Sequence, residues 1–190
     1  MKKMLLLAAA AAGAAVPAAA EVPAGFRLEG VVAFDSLKAG VTEGTAVVKR
    51  ESNGVSYGGA VGYDFPMGTG LALGADAELT FATTDINIAE GLLTVSKDLY
   101  VGGRITGSLS DRFNVFAKAG YSNMRLRLDD VDTNPADNPP IIGNLDGYRV
   151  GLGVQVNGDS GEYYGVEGRY SDYEGGVSRR QAMFFVGYRF

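Results

Sequence analysis

Hydrophobic and polar residues alternate along most of the chain after residue 25. In residues 55–65, every second position is Val, Tyr or Phe apart from one glycine, and the positions between them are Ser, Gly, Ala or Asp. A period of two is typical of a β-strand whose two faces meet different surroundings. The alternation predicts eight strands, at residues 26–35, 55–65, 71–83, 95–109, from 113 onward, 148–156, 162–172 and 181–190.

The connections between these strands differ in length in a regular way. Residues 66–70, 110–112 and 157–161 are short and carry Gly, Pro, Asn, Ser or Asp, as tight turns do. Residues 36–53, 84–94 and 129–147 are long, and residues 173–180 are intermediate. Bacterial transmembrane barrels have short periplasmic turns and long external loops. The pattern predicts an all-β fold, a closed eight-stranded antiparallel up-and-down transmembrane β-barrel.

Two features favour a membrane barrel over a soluble periplasmic ligand-binding barrel, whose apolar face would point inward. The polar face is also the glycine face, which suits a narrow lumen filled by side chains. The aromatic residues of the apolar face gather towards the strand ends, as in the girdles of a membrane barrel. These girdle residues are Tyr57, Phe81, Tyr121, Tyr148 and Tyr170 at the loop end and Phe26, Tyr63, Phe65, Phe113, Tyr188 and Phe190 at the turn end.

The beginning of the chain is predicted to be a secretory signal peptide. Lys2 and Lys3 precede an apolar run of Leu and Ala, and three alanines before Glu21 provide a cleavage site. The apolar run is short for a membrane-spanning helix. We therefore expect residues 1–20 to be removed on export and residues 21–190 to form one barrel domain in the cell outer membrane.

The polar face carries charges of both signs in equal number. They are Arg27, Arg104, Lys118, Arg149, Arg169 and Arg189, with Glu29, Asp35, Asp64, Asp76, Glu78 and Glu167. An unpaired buried charge is costly, so we expect a luminal ion-pair network that plugs the barrel. A narrow transport channel is the alternative, although a charged pore is expected to show one dominant sign.

The composition argues against several kinds of activity. The chain has no His and no Cys, which removes the commonest general base and the commonest metal ligands. No serine stands in a nucleophile motif, and the acidic loop at residues 129–147 lacks EF-hand spacing. We expect no enzymatic activity, cofactor or metal. Losing Lys2 and Lys3 changes the net charge from −5 to −7, so nucleic-acid binding is not expected.

A group of cations is predicted near the external rim. Pairing two strands through the turn at residues 110–112 places Lys97 opposite Arg125. If the alternation continues past residue 121, the outward cations are Lys97, Arg125, Arg127 and Arg180, which could contact lipopolysaccharide phosphates. The alternative, favoured at this point, is a bulge near residues 122–123 that turns Met124, Leu126 and Leu128 outward instead.

The last residues alternate as Val186, Tyr188 and Phe190. This ending resembles the C-terminal signature of outer-membrane barrels, which implies that the barrel-assembly machinery reads Tyr188 and Phe190. Residues 25–190 as a whole resemble the small outer-membrane barrel families, of the opacity-protein, outer-membrane-protein-A-like and "porin family" types. The resemblance implies a structural or surface-interaction role in a Gram-negative cell envelope, with outer-membrane lipid and lipopolysaccharide as partners. No peptidoglycan-binding domain is expected after Phe190.

Overall fold

A computed structural model describes residues 24–43, 46–88, 91–129 and 141–190. The predicted signal peptide at residues 1–20 and residues 130–140 of the acidic loop lie outside this part. The described residues form antiparallel β-strands and a single 3-10 turn at Glu174–Gly176. Among them, no helix is long and apolar enough to cross a membrane.

Strands that follow one another in the chain pair antiparallel, except that β3 pairs with β5 instead of β4, and the first strand also pairs with the last. The strands are β1 (Gly25–Glu43), β2 (Ala46–Pro66), β3 (Leu71–Ala82), β4 (Asp85–Ile88), β5 (Gly91–Ser108), β6 (Phe113–Asp129), β7 (Ile141–Asn157), β8 (Glu162–Tyr173) and β9 (Val177–Arg189). Because β3 and β4 both pair with β5, they share one position in the wall. The predicted closed eight-stranded antiparallel barrel is confirmed.

The outer face of the barrel is apolar and the lumen is polar. Phe34 is 74% exposed, whereas the next residue, Asp35, is 3% exposed. Aromatic residues line both ends of the apolar band, with Tyr57 beside Phe81 at the outer end. At the periplasmic end, the ring centroids of Tyr63 and Phe65 are 4.6 Å apart. An apolar band between aromatic girdles is the lipid-facing surface of a membrane barrel, not the surface of a soluble one.

The strands continue outward beyond the outer girdle, further than the sequence predicts. β1 and β2 remain paired as far as Glu43 and Ala46. β5 begins at Gly91 and β7 at Ile141, so strands enter all three regions that were predicted to be long loops. The prediction of shorter strands was wrong because it required apolar residues on the outward face of each strand. Beyond the outer girdle, the apolar residues lie on the inward face instead.

The reversal is visible in a cluster of apolar side chains inside the outer end of the barrel. The buried members are Leu37, Ala39, Val95, Met124, Tyr173 and Val177. We call these six residues the outer apolar cap. Water surrounds the barrel at this height instead of lipid, so apolar side chains are more stable inside than outside. Apolar side chains therefore close the outer end of an interior that, within the membrane, carries charged side chains beside a second apolar cluster of Val31, Ala33, Phe116, Tyr163, Met183 and Phe185.

Candidate functional site

Among the residues that the structure describes, the lumen holds seven basic and seven acidic side chains that are buried or nearly so. They are Arg27, Arg104, Lys118, Arg149, Arg169, Arg179 and Arg189, with Glu29, Asp35, Asp64, Asp76, Glu78, Asp98 and Glu167. The twelve residues expected from the sequence all point inward. Asp98 and Arg179 complete the set.

At the periplasmic end, Arg27 is the centre of the charge contacts. Its guanidinium nitrogens lie 2.7 Å from Glu29 Oε1 and 2.6 Å from Asp64 Oδ2, and a third nitrogen contacts Asp76. Asp64 also receives Arg189 at 3.0 Å. Three carboxylates around one guanidinium compensate its charge and use its fixed fork of donors.

Arg104 joins this group from the opposite wall. Its Nη1 lies 3.3 Å from Glu29 Oε1, and its Nη2 donates to Gln155 Oε1 at 2.7 Å. The guanidinium carbon lies 3.8 Å from the centroid of the Phe116 ring, a cation–π contact in a desolvated place. Charges from both sides of the barrel therefore meet across the lumen axis.

In the middle of the lumen, Arg169 and Glu78 form a two-pronged pair. The two terminal guanidinium nitrogens of Arg169 each lie 2.6 Å from one carboxylate oxygen of Glu78. The Nε of Arg169 also lies 2.7 Å from Glu167 Oε1. Lys118 bridges towards the periplasmic group, with Nζ 3.6 Å from Glu167 and 3.3 Å from Asp76. The bidentate contact between Arg169 and Glu78 is the strongest form of arginine–carboxylate pair.

At the outer end, the network depends on the two residues that sequence reasoning missed. Asp98 Oδ2 accepts a hydrogen bond from Arg179 Nη1 at 2.8 Å and also contacts Arg149. Arg179 contacts Asp35 with its other terminal nitrogen. A signal was available, because Asp98 shares the strand face of Tyr100 and Arg179 shares the face of Gln181. Arg179 was missed because it lies beyond the predicted strand at residues 181–190, whereas Asp98 lies inside the predicted strand at residues 95–109 and was overlooked.

The glycines on the luminal face leave room for these long side chains. A Cβ added to Gly62 would lie 2.6 Å from the guanidinium of Arg27. A Cβ on Gly151 would lie 2.3 Å from Glu167 Oε1. Both distances are shorter than real Cβ contacts, so the network requires glycine, which has no side chain, at these two positions. The outer apolar cap then covers the network at its external end.

The cations predicted at the rim point outward, and the favoured bulge at residues 122–123 is wrong. Lys97 lies opposite Arg125, as pairing through the turn predicts. Met124 is completely buried in the outer apolar cap, so β6 keeps its alternation there. The irregularity lies instead on β5 at Ser96, which leaves Lys97 outside. The prediction assumed lipid outside at this height, whereas apolar side chains turn inward here. Arg127 and Arg180 are also exposed on the outer face.

Tyr188 and Phe190 lie on the periplasmic girdle and face outward. Phe190 is 71% exposed, and its ring centroid lies 5.0 Å from that of Tyr188 and 6.0 Å from that of Phe26. The backbone N–H of Phe190 donates to the carbonyl oxygen of Phe26 at 2.9 Å. The end of β9 is thus held against the start of β1, at the seam that closes the barrel.

Within the described residues, no group of three or more His, Cys, Asp or Glu side chains is arranged to hold a metal ion. The luminal carboxylates contact arginines and a lysine instead, as the distances above show. Their arrangement neutralises charge, and the outward cations are the charged groups that an external anion could reach.

Solved structures of small outer-membrane barrels share this fold. Neisserial surface protein A has a TM-score of 0.61 and 14% identity, covering 90% of this chain and 100% of that chain. Ail of Yersinia pestis has a TM-score of 0.56 and 14% identity, with 88% and 99% covered. OprG of Pseudomonas aeruginosa has a TM-score of 0.54 and 12% identity, with 90% and 98% covered. At these identities the likeness establishes the fold alone.

A comparison with curated protein sequences finds no match. The family described as "Outer membrane protein beta-barrel domain" matches residues 5–190, nearly the whole chain. This match agrees with the closed barrel, the apolar outer face and the two aromatic girdles. The chain therefore belongs to the outer membrane protein beta-barrel domain family and is a protein of the Gram-negative cell outer membrane.

Proposed function

We propose that this protein has a structural or surface-interaction role in the outer membrane and that its lumen does not conduct. The observation that carries the proposal is the balanced network of seven basic and seven acidic luminal side chains. These side chains contact one another from wall to wall, and the outer apolar cap lies above them. A hydrated ion passing through would have to break several buried charge pairs, and each rupture is costly.

A narrow transport channel is the competing function. A selective charged pore gathers residues of one sign around an open path. Here each sign neutralises the other, and both the arginines and the carboxylates are almost inaccessible to solvent. We infer from the same network, and from the lack of His and Cys, that the barrel catalyses no reaction.

Conductance separates the two functions. Wild-type protein reconstituted into planar bilayers should show no channel openings, whereas the double variant Glu78→Ser/Arg169→Ser, which removes the central pair, should show them. A matched control is Arg112→Ser/Asp159→Ser, which removes an exposed pair with Nη2 2.9 Å from Oδ1. Steady openings of the wild-type protein would support the channel instead.

Lys97, Arg125 and Arg127 are proposed to contact lipopolysaccharide phosphates. Lys97 and Arg125 are direct cross-strand neighbours, and like charges in such pairs are mutually destabilising. A phosphate between them would relieve the repulsion, and both lie beyond the outer girdle at Tyr121, where lipid headgroups are expected. Ail, a structural neighbour, has been crystallised with the heparin analogue sucrose octasulfate, another polyanion.

Lipopolysaccharide that co-purifies with the protein tests this contact. The variant Lys97→Gln/Arg125→Gln/Arg127→Gln should retain clearly less of it than wild type. Arg112→Gln, an exposed cation at a periplasmic turn, should retain as much as wild type and serves as the control. Equal retention by the triple variant would remove these three residues from the proposal.

Export and assembly complete the proposal. Residues 1–20 would act as the signal peptide and residues 21–190 would form the mature barrel. The exposed rings of Tyr188 and Phe190 at the closing seam would be read by the barrel-assembly machinery during insertion. Their position supports this role, because β9 pairs with β1 when the barrel closes.

A further inference from the structure

A depression with a volume of about 990 Å³ extends over the lipid-facing surface from β1 across β9, β8 and β7 to β6 and β5, and we call its part between Phe34 and Leu152 the groove. The size of the depression falls within the range of about 300–1,000 Å³ that is usual for ligand sites. Phe34 and Leu152 form the walls and are 74% and 70% exposed. Ala182 and Gly168 form the floor between them. The four residues are successive register partners across β1, β9, β8 and β7.

Gly168 differs from the glycines of the lumen. A Cβ added to Gly168 would meet no atom of the protein within 4 Å, whereas one added to Gly151 would strike Glu167. Internal packing therefore explains the luminal glycines but not Gly168. The small residues Gly168 and Ala182 leave open space on the lipid-facing side of the wall.

The outer end of the groove opens beside a cation. A second hollow of about 500 Å³ continues from Phe34 and Ala182 to Ser36 and Arg180. Arg180 is exposed on the same face as Ala182, one outward position higher, and its partner on β8 is the girdle residue Tyr170. The cation thus lies at the height where lipid headgroups begin, directly above an apolar groove.

The charges around this opening favour an anion. Lys38 lies on the same face as Ser36 and contacts Glu51, with Nζ 3.0 Å from Oε2. The pKa of Glu51 lies below its ordinary value because Ser36 and Lys38 donate hydrogen bonds to it, with a smaller contribution from the charge of Arg180. Lys38 and Glu51 thus pair with each other, and Arg180 adds a positive charge beside the opening, with Asp172 one position further out on β8.

We propose that this groove binds the lipid A part of lipopolysaccharide, with one acyl chain between Phe34 and Leu152 and a phosphate on Arg180. The apolar lining of the groove suits a hydrocarbon chain, and the charge at its outer end suits the anionic headgroup. The site is separate from Lys97 and Arg125, because β9 and β5 lie on opposite sides of the ring. It depends on the outer-membrane location and not on whether the lumen conducts.

Native mass spectrometry of the detergent-solubilised protein with added lipid A tests the site. The wild-type barrel should retain one lipid A more tightly than the others. Gly168→Leu/Ala182→Leu, which fills the groove, should lower its retention by about tenfold or more, as expected when one well-formed contact region is lost. Arg180→Gln should lower the preference for lipid A over phosphatidylethanolamine, which lacks the second anionic group.

Two controls make the result specific. Ala75→Leu enlarges an exposed outward side chain on β3, away from the groove, and should leave retention unchanged. Arg112→Gln removes a cation from the periplasmic side and should do the same. Every variant is checked for the folded band on an unheated gel. Retention equal to wild type in the groove-filled barrel overturns the proposal, and so does equal binding of phosphatidylethanolamine to the wild-type groove.

Discussion

Asp98 is the individual residue on which most of the outer luminal network depends. Its carboxylate accepts hydrogen bonds from Ser122 at 2.6 Å, Tyr173 at 2.8 Å and Arg179 at 2.8 Å, and it also contacts Arg149. The residue is 1% exposed, so water cannot replace these partners. One carboxylate thus contacts two buried guanidinium groups, each of which also meets a second carboxylate, Asp35 or Glu78.

Replacing Asp98 with Asn should destabilise the folded barrel by about 3–5 kcal/mol, because a buried pair that loses one partner leaves an uncompensated charge. The free energy of unfolding is measured by urea titration of the protein in lipid vesicles. Asp159→Asn breaks the Arg112 pair, whose side chains are 71% and 81% exposed. That control should cost about 0–1 kcal/mol. Similar losses in the two variants would contradict the prediction.

Asp146 offers a test that depends on pH. Its carboxylate lies beyond the outer girdle and accepts hydrogen bonds from Tyr121 and Asn123, both at 2.5 Å, which hold the pKa of Asp146 below its ordinary value. A lowered pKa means that the contact stabilises the fold above the ordinary pKa and loses this effect as the pH falls. Tyr121→Phe should raise the pKa of Asp146 towards its ordinary value, measured by carboxyl-carbon NMR. Tyr57→Phe, a girdle change elsewhere, should not; an unshifted Asp146 in Tyr121→Phe would refute the assignment.

Each strand of the wall has a luminal face, where the narrow interior requires some small residues, and a lipid face, where it does not. Gly120 on β6 shows the constraint, since an added Cβ would lie 2.3 Å from the carbonyl oxygen of Val101 and 2.4 Å from the Cα of Gly102. These are backbone atoms of β5 and cannot turn away as a side chain could. The close approach of β5 and β6 therefore requires glycine at this position.

Gly120→Ala should destabilise the barrel by about 1–3 kcal/mol, the usual cost of overpacking. Gly143→Ala is the matched control, because Gly143 is exposed on β7 and a Cβ there would meet nothing within 4 Å. That variant should be neutral or slightly stabilising, since alanine restricts the unfolded chain more than glycine does. The midpoint of chemical denaturation is compared for both. Equal midpoints would mean that β5 and β6 can move apart freely.

The last strand allows recognition to be separated from lipid anchoring. Phe190→Ser should reduce the amount of folded protein in the outer membrane of cells, because the assembly machinery would read this ring. Phe65→Ser removes a comparably exposed aromatic ring, 55% against 71%, from the same girdle. The two variants should refold alike into detergent in vitro. Equal amounts in cells would reduce Phe190 to an ordinary girdle residue.

The closed barrel as a whole depends on the seam between β1 and β9. Residues from Arg27 to Lys38 pair with residues from Arg189 to Ser178 and connect the two ends of the sheet. Closure leaves no free strand edge in the membrane-spanning part of the wall, where such an edge would leave backbone groups without hydrogen bonds. The folded molecule is therefore expected to behave as a single cooperative unit.

Heat modifiability measures this cooperativity. The refolded protein should migrate differently on a detergent gel before and after boiling, because the intact barrel resists the detergent. A variant lacking residues 177–190 loses β9 and should show one unfolded band under both conditions. A shifted band from that truncated chain would show that the remaining strands close without β9.

Much of the architecture follows from local pattern. The period of two, the contrast between short turns and long connections, and the glycine-rich charged face predict the closed membrane barrel and the inward direction of residues such as Arg27 and Glu78. These features are legible in the sequence because the lipid, the lumen and the strand geometry act on every position in the same way along a strand. The short turn at residues 110–112 also places Lys97 opposite Arg125, since a tight turn fixes the register of the strands it joins.

What required the tertiary structure was the height at which the surroundings change. Leu37 lies in a predicted long loop and Met124 was expected to face outward, but β1 and β6 rise above the membrane, where the alternation places both inside the outer apolar cap. The partners of each charge were also beyond the sequence, because Arg179 meets Asp35 and Asp98 across the lumen. Alternation states which face a side chain occupies, whereas strand tilt, shear and closure decide its height and its neighbours.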